Sequence, residues 1–193
     1  MIIVLMGPPG AGKGTQAAHL SKHFNIPHLS TGDVFRNAMA NESTLGEKVK
    51  FYINKGELAP DQVVIDIVLQ KLDQKVFSKG LVLDGFPRTL SQAEMFDGEL
   101  VRKKLAIDLV LNLVVSEQEL YKRIEKRANE NVTRRSDDND KILKNRIEIY
   151  NRQARAVIDF YRKKDLVFDV DGAQTANLVL TTILNKLNLR IIC

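Results

Sequence analysis

Four short apolar runs punctuate the chain: Ile2 to Met6, Leu81 to Leu83, Leu109 to Val115 and Leu166 to Val170. Each is too short for a helix, and the segments between them have helical periodicity. Near-continuous apolar strands alternating with helices predict a parallel sheet covered on both faces, an α/β architecture. Ile26 to Leu29 reads as a weaker fifth strand. Helices are predicted over Lys13 to Phe24, Gly32 to Ala40, Thr44 to Lys55, Pro60 to Gln74 and Leu90 to Leu100. Three more are predicted over Glu117 to Lys126, Asp138 to Lys163 and Thr175 to Leu187. The stretch Ser30 to Pro60 holds two helices and no convincing strand, so it is expected to leave the sheet as an excursion. A polar segment from Ala128 to Ser136 interrupts two helices and reads as a short flap. The expected division is a core of 1–29, 60–126 and 137–193, an excursion of 30–59 and a flap of 127–136.

Composition narrows the setting. A chain of 193 residues with 44% hydrophobic content fits one compact domain with a sizeable core, and nothing suggests disorder. Cys193 is the only cysteine. It cannot form an internal disulfide or anchor a four-cysteine zinc site, so the cytoplasm is the default compartment. The run Met1 to Met6 is too short for a signal-peptide core and breaks at Gly7. No segment approaches the ~20 apolar residues that span a bilayer, so a soluble protein is expected, without membrane partners.

The segment between the first strand and the first helix carries the strongest chemistry. Gly7-Pro8-Pro9-Gly10-Ala11-Gly12-Lys13-Gly14-Thr15 is a glycine-rich turn that ends in a lysine and opens a helix. Glycines let the backbone wrap an anion with several N–H donors, and the helix that follows points its positive end at the same spot. Lys13 adds a full charge for β and γ phosphates. The general pattern G-x-x-x-x-G-K-[ST] is not met, since Gly14 stands at its last position and Thr15 follows one place later. Gly7 to Thr15 resembles the phosphate loop of adenylate kinases, in which glycine after the lysine is usual. The resemblance implies ATP binding by Gly10, Ala11, Gly12, Lys13, Gly14 and Thr15.

Three further strings resemble the AMP-binding segments of that family in order and spacing. They are Thr31-Gly32-Asp33 with Arg36, Gly56-Glu57-Leu58-Ala59-Pro60-Asp61, and Asp84-Gly85-Phe86-Pro87-Arg88 with Gln92. Arg36 and Arg88 suit a monophosphate gripped in forked geometry. Gly85 permits close backbone approach, and Thr31 and Gln92 offer hydrogen bonds to a base edge. By the same resemblance Glu57, Leu58 and Ala59 hold ribose and base, and Phe86 and Pro87 belong to the AMP segment. Plainer readings stay open: Thr31 as a helix cap, Arg36 as a solvated helix residue, Asp84-Gly85 as an ordinary strand exit. Asp84 also resembles the carboxylate that orients magnesium and its waters, with Thr15 near the ion and Asp33 as a possible assistant.

Arg123 and Arg127 lie four apart and share a helix face, with Lys122 and Lys126 repeating the spacing. A solvated face in which Glu119 pairs with Arg123 explains the first of them equally well. Arg135 precedes Asp137-Asp138, and Arg146 follows eleven residues later, close to three helical turns. The series Arg123, Arg127, Arg135, Arg146 resembles the catalytic arginines of short-lid adenylate kinases. Carried over, Arg127 serves ATP, while Arg135 and Arg146 reach the transferring phosphoryl group and AMP. The segment up to Arg135 is slightly longer than in the commonest short-lid members, and Arg134 stands beside Arg135, which leaves open which of the two enters the site. Val170 to Gln174 resembles the loop that touches the ATP base through its backbone, with Gln174 where lysine is frequent.

The resemblance implies a P-loop three-layer α/β/α fold with a five-stranded parallel sheet, a helical AMP-binding excursion and a short lid without zinc. It implies reversible transfer from magnesium-ATP to AMP, with ATP, AMP and ADP as partners, Mg2+ as cofactor, and a monomer. A UMP/CMP kinase shares loop and lid but typically carries alanine and asparagine near Thr31 and Gln92. A GTPase-type switch finds D-x-x-G at Asp169 to Gly172 but no N-K-x-D string. The net charge of +5 falls to −2 once the seven cations named above (Lys13, Arg36, Arg88, Arg123, Arg127, Arg135, Arg146) are set aside. No aromatic-rich basic stripe remains for nucleic acid.

Overall fold

The computed structural model describes the backbone of residues 1–129 and 140–191, and the side chains of 1–125 and 141–187. Five strands form one sheet: β1 (Ile2–Met6), β2 (His28–Ser30), β3 (Leu81–Asp84), β4 (Leu109–Val114) and β5 (Val167–Asp171). Their order is β2-β3-β1-β4-β5, and every neighbouring pair is parallel. The weak strand expected at Ile26 to Leu29 exists, starting two residues later and ending one later, and lies at an edge.

Although β1 is apolar throughout, its side chains alternate between two cores, as a strand's period of two requires. Ile2, Val4 and Met6 join Leu81, Leu83 and Val110 on one face, under α4 (Asp61–Leu72) and α5 (Leu90–Arg102). Ile3 and Leu5 join Val82, Leu109 and Leu111 on the other face. That face packs on α1 (Lys13–Phe24), α6 (Glu117–Asn129) and α8 (Ala176–Ile191). The long helix α7 (Asp140–Arg162) serves both, giving Leu143 and Ile147 to the second core and Val157 and Tyr161 to the first. No helix among the described residues is long and apolar enough to cross a membrane.

Several boundaries move from the sequence expectation. α4 stops at Leu72, and a single 3-10 turn, Lys75–Phe77, follows where the helix was expected to reach Gln74. α6 runs on to Asn129 instead of ending at Lys126; the expected start of the next helix, Asp138, lies outside the described residues.

The stretch after β2 holds α2 (Thr31–Ala40) and α3 (Thr44–Lys55) and no strand. Ser30 caps α2 by accepting from the Asp33 N–H at 3.2 Å, and Ser43 caps α3 by accepting from the Gly46 N–H at 3.1 Å. The cap of α2 is therefore Ser30, one residue ahead of Thr31. Gly46 is where the two helices touch: a Cβ there would lie 2.2 Å from the Ala38 carbonyl oxygen. Backbone cannot rotate aside as a side chain can. Gly46→Ala is therefore expected to destabilise the fold by about 1–3 kcal/mol through overpacking. The thermal unfolding midpoint reads this out, at about 2–4 °C per kcal/mol for a chain of this size. An unchanged midpoint would mean the helices do not meet there.

At its far end the excursion returns to the body of the protein. The Asn145 amide of α7 donates to the Lys55 carbonyl at 2.8 Å, satisfying one of the open carbonyls at the end of α3.

Candidate active site

Parallel sheets bind ligands beyond the carboxyl ends of their strands, where the chain order reverses. Here β1 sits between β3 and β4, and the loops after β1, β2, β3 and β5 converge on one cleft of about 960 Å³. A second, smaller cavity of about 40 Å³ lies between α2, α3 and the loop after β3. Arg36, Arg88 and Arg146 line both, as do Gly32, Gly56 and Leu58.

Gly7, Gly10 and Gly12 all take positive φ in the loop after β1. Gly12 is also the residue that opens α1, at φ 93° and without a side-chain cap. The first N–H groups of α1 are thus free of the usual capping oxygen at the end where an anion would sit. Lys13 folds back over the loop, and its Nζ donates to the Gly7 and Pro8 carbonyls at 2.7 and 3.0 Å. Gly10, Ala11, Gly12, Lys13, Gly14 and Thr15 all line the larger cleft.

Asp84 ends β3 beneath that loop. Burial raises its carboxyl pKa, but His28, Lys13 and Arg88 outweigh burial and hold it below the ordinary 3.8. His28 Nε2 stands 3.8 Å from Asp84 Oδ2, an ionic distance rather than a hydrogen bond. A Cβ added at Gly14 would lie 3.7 Å from the same carboxylate oxygen. A side chain at position 14 would thus sit in van der Waals contact with Asp84, while Thr15 is exposed on the cleft wall.

The smaller cavity gathers Thr31, Glu57, Leu58, Ala59, Gly85 and Gln92. Gly85 has φ 79°, and a Cβ there would come within 2.9 Å of an Arg88 guanidinium nitrogen and 3.1 Å of Thr31 Oγ1. Its hydrogen is what lets Thr31 and Arg88 close on the same backbone oxygen. Thr31 Oγ1 donates to the Gly85 carbonyl at 2.9 Å, and Arg88 Nε donates to it at 2.7 Å. Arg36 is paired with Asp33, one helical turn back, so both the solvated-helix reading and the cleft position apply to it. Phe86 and Pro87 line the larger cleft, joined by a cis peptide bond.

On the far wall, Arg123 Nε donates to Glu119 Oε1 at 2.8 Å, the helix pair expected from the spacing. The same guanidinium also reaches across to the Ala173 carbonyl at 2.9 Å and lines the cleft. Gln174 lines it too, its amide donating to Asp171 at 3.2 Å. The D-x-x-G string is used within the fold: Asp169 accepts from Asn112 and Arg162, and Asp171 from the Ala173 N–H. The Arg127 side chain, and Arg134 and Arg135, lie outside the described residues.

The family model for adenylate kinase matches residues 5–166 of this chain. An adenylate kinase of Archaeoglobus fulgidus is 41% identical, covering 90% of this chain and 92% of the relative. One of Finegoldia magna is 40% identical over 97% of both chains, and one of a Cyanothece species 42% identical over 89% and 87%. This chain belongs to the adenylate kinase family. It is a nucleoside monophosphate phosphotransferase, on the sheet order and phosphate loop described above. The Finegoldia alignment runs over 212 residues, more than this chain's 193, so that relative has residues this chain lacks.

Three residues at the site carried no role in the sequence reading. His28 lines the cleft beside Asp84, and only the strand pairing of β2 with β3 brings it there. Gln16, 2% exposed, lines the cleft and donates to the Ala176 carbonyl at 2.9 Å. Asp61 contacts Gln92. Asp61 closes the Gly56 to Asp61 string that resembles an AMP-binding segment, with no role of its own there; the other two had no signal.

Proposed function

We propose that the larger cleft holds magnesium-ATP on the loop after β1 and meets AMP seated at the smaller cavity, passing the γ-phosphoryl group between them. What supports this reading is the shared wall: Arg36, Arg88 and Arg146 border both cavities, at the junction where two polyanions have to meet. An oxygen of the AMP phosphate attacks the γ-phosphorus, the bond to the β,γ-bridging oxygen breaks, and two ADP result. That oxygen is already a competent nucleophile, so no general base is needed. The protein's task is alignment and neutralisation of charge on the moving group.

In this assignment Gly10 to Thr15 cradle the ATP phosphates, with Lys13 at β and γ, and Gln174 stands at the ATP base. Arg123 and Arg127 serve the ATP side, Arg135 and Arg146 the transferring group and AMP. Arg36 and Arg88 grip the AMP phosphate. Glu57, Leu58 and Ala59 border its ribose and base, and Thr31 and Gln92 its base edge. Both half-sites come from one chain, which suits a monomer.

The family generally uses Mg-ATP, and the residues here fit the ion. Asp84 stays ionised despite burial, and glycine at position 14 puts no side chain against its carboxylate. Among the described residues no three His, Cys, Asp or Glu side chains cluster to hold a metal, so Asp84 would hold the ion together with phosphate and water. When bound, the ion neutralises charge on the β and γ oxygens. Thr15 stands on the same wall. Water is the competing acceptor, and closure of the 30–59 excursion over both nucleotides excludes it; the flap expected at 127–136 lies, from residue 130 on, outside the described residues.

An acceptor panel tests the base assignment. AMP is expected to be used with kcat/KM at least about a hundredfold above CMP, UMP and GMP, because mismatched polar edges leave buried groups unpaired. Comparable ADP formation with CMP or UMP would overturn it.

A further inference from the structure

Gln92 is only 1% exposed, and its amide is already engaged on both sides. Its Nε2 donates to Asp61 Oδ1 at 2.7 Å, and its Oε1 accepts from the Arg88 backbone N–H at 2.8 Å. The second oxygen of Asp61 accepts from Thr89 Oγ1 at 3.0 Å, while that same threonine caps α5 by accepting from the Gln92 N–H at 3.1 Å. A carboxylate only accepts and a backbone N–H only donates. These two neighbours therefore fix which end of the amide is nitrogen and which is oxygen. One N–H and one oxygen lone pair remain, on a side chain that lines the smaller cavity and has almost no contact with solvent.

We infer that Asp61 is a specificity-determining positioning residue, which sets the polarity of the Gln92 amide and thereby selects the acceptor base. The inference rests on the proposed seating of AMP at Gln92. Adenine offers an acceptor at N1 beside a donor at N6, the complement of the free N–H and lone pair. A 6-oxopurine offers the reverse, a donor at N1 beside an acceptor at O6. To match it, Gln92 has to turn over. That would set its NH2 against the Arg88 N–H and its carbonyl against the Asp61 carboxylate, and both contacts repel. Asp61 lines neither cavity, so it acts through Gln92 and not on the nucleotide.

The test compares AMP and IMP as acceptors for the full-length parent, Asp61→Ala, Asp61→Asn, Gln92→Ala and the double variant Asp61→Ala/Gln92→Ala. Asp61→Ala is expected to raise KM for AMP about tenfold and to erode the AMP-over-IMP preference by at least that factor, about what one charge-assisted hydrogen bond is worth. KM for ATP, and kcat at saturating AMP, should stay within about twofold of the parent. Asp61→Asn keeps an oxygen that accepts from Gln92 Nε2 and should recover most of the preference. In the Gln92→Ala background, Asp61→Ala should add nothing, since two residues acting as one unit are not additive. Should Asp61→Ala fail to fold, Asp61→Ser, too short to reach Gln92, takes its place. An AMP-over-IMP ratio unchanged by losing Asp61, or an equal effect with and without Gln92, overturns the inference. A parent enzyme that uses IMP as readily as AMP sinks the base assignment itself, which is a different failure.

Discussion

Lys13→Met is expected to lower kcat by about 10²–10³-fold, the usual cost of removing one preorganised charge from a developing anion. The substitution keeps the length of the side chain and its packing along the loop while deleting the ammonium. That ammonium donates to two loop carbonyls, of Gly7 and Pro8. Gly7 lines the cleft, where water can replace the lost donor, and the Pro8 carbonyl keeps the Ala11 N–H at 3.1 Å, so the thermal midpoint should move by only a few degrees. A steady-state assay coupled to ADP formation, with a melting curve on the same preparation, separates chemistry from stability. Turnover within twofold of the parent would remove Lys13 from the reaction.

Arg88→Ala is expected to act on the other substrate. Its guanidinium is held by the Gly85 carbonyl at 2.7 Å and borders both cavities, so in the proposed seating of AMP it is aimed before that nucleotide arrives. Removing a buried charged partner from a charged ligand costs about 2–5 kcal/mol. That corresponds to about 30-fold to 5,000-fold in kcat/KM for AMP, at roughly tenfold per 1.36 kcal/mol. KM for ATP should change far less. Equal losses on both substrates would point instead to a collapsed loop after β3. Lysine should rescue poorly, because a single ammonium lacks the planar fork that grips two phosphate oxygens.

The two variants probe parts of the site that differ in how plainly the sequence displays them. Lys13 and its glycines are contiguous, so the whole anion cradle can be read from nine letters. Strands were nearly as plain, since burial on both faces leaves long apolar runs. The edge strand β2 was faint because it has only three residues, and two of them, His28 and Ser30, are half-buried and polar. Strand order is invisible in the letters; it depends on which crossover goes left and which right. The cap at Ser30 was hidden by Thr31 beside it, an equally good capping residue type.

Other parts of the cleft came from residues far apart in sequence. The pairing of Gln92 with Asp61 spans 31 positions, and no local pattern announces it. Arg123 was doubly readable, as a helix ion pair or as a cleft cation, and the fold uses it both ways. His28 meets Asp84 only through strand register.

The bond from Asn145 to the Lys55 carbonyl ties the tip of the excursion to the helix that carries Arg146. A neutral hydrogen bond near the surface is worth about 1 kcal/mol, or about fivefold in population. That is strong enough to favour the contact and weak enough for ordinary thermal motion to break it. Because Asn145 adjoins Arg146 in the chain, the helical turn that borders both cavities is also the one that holds the end of α3.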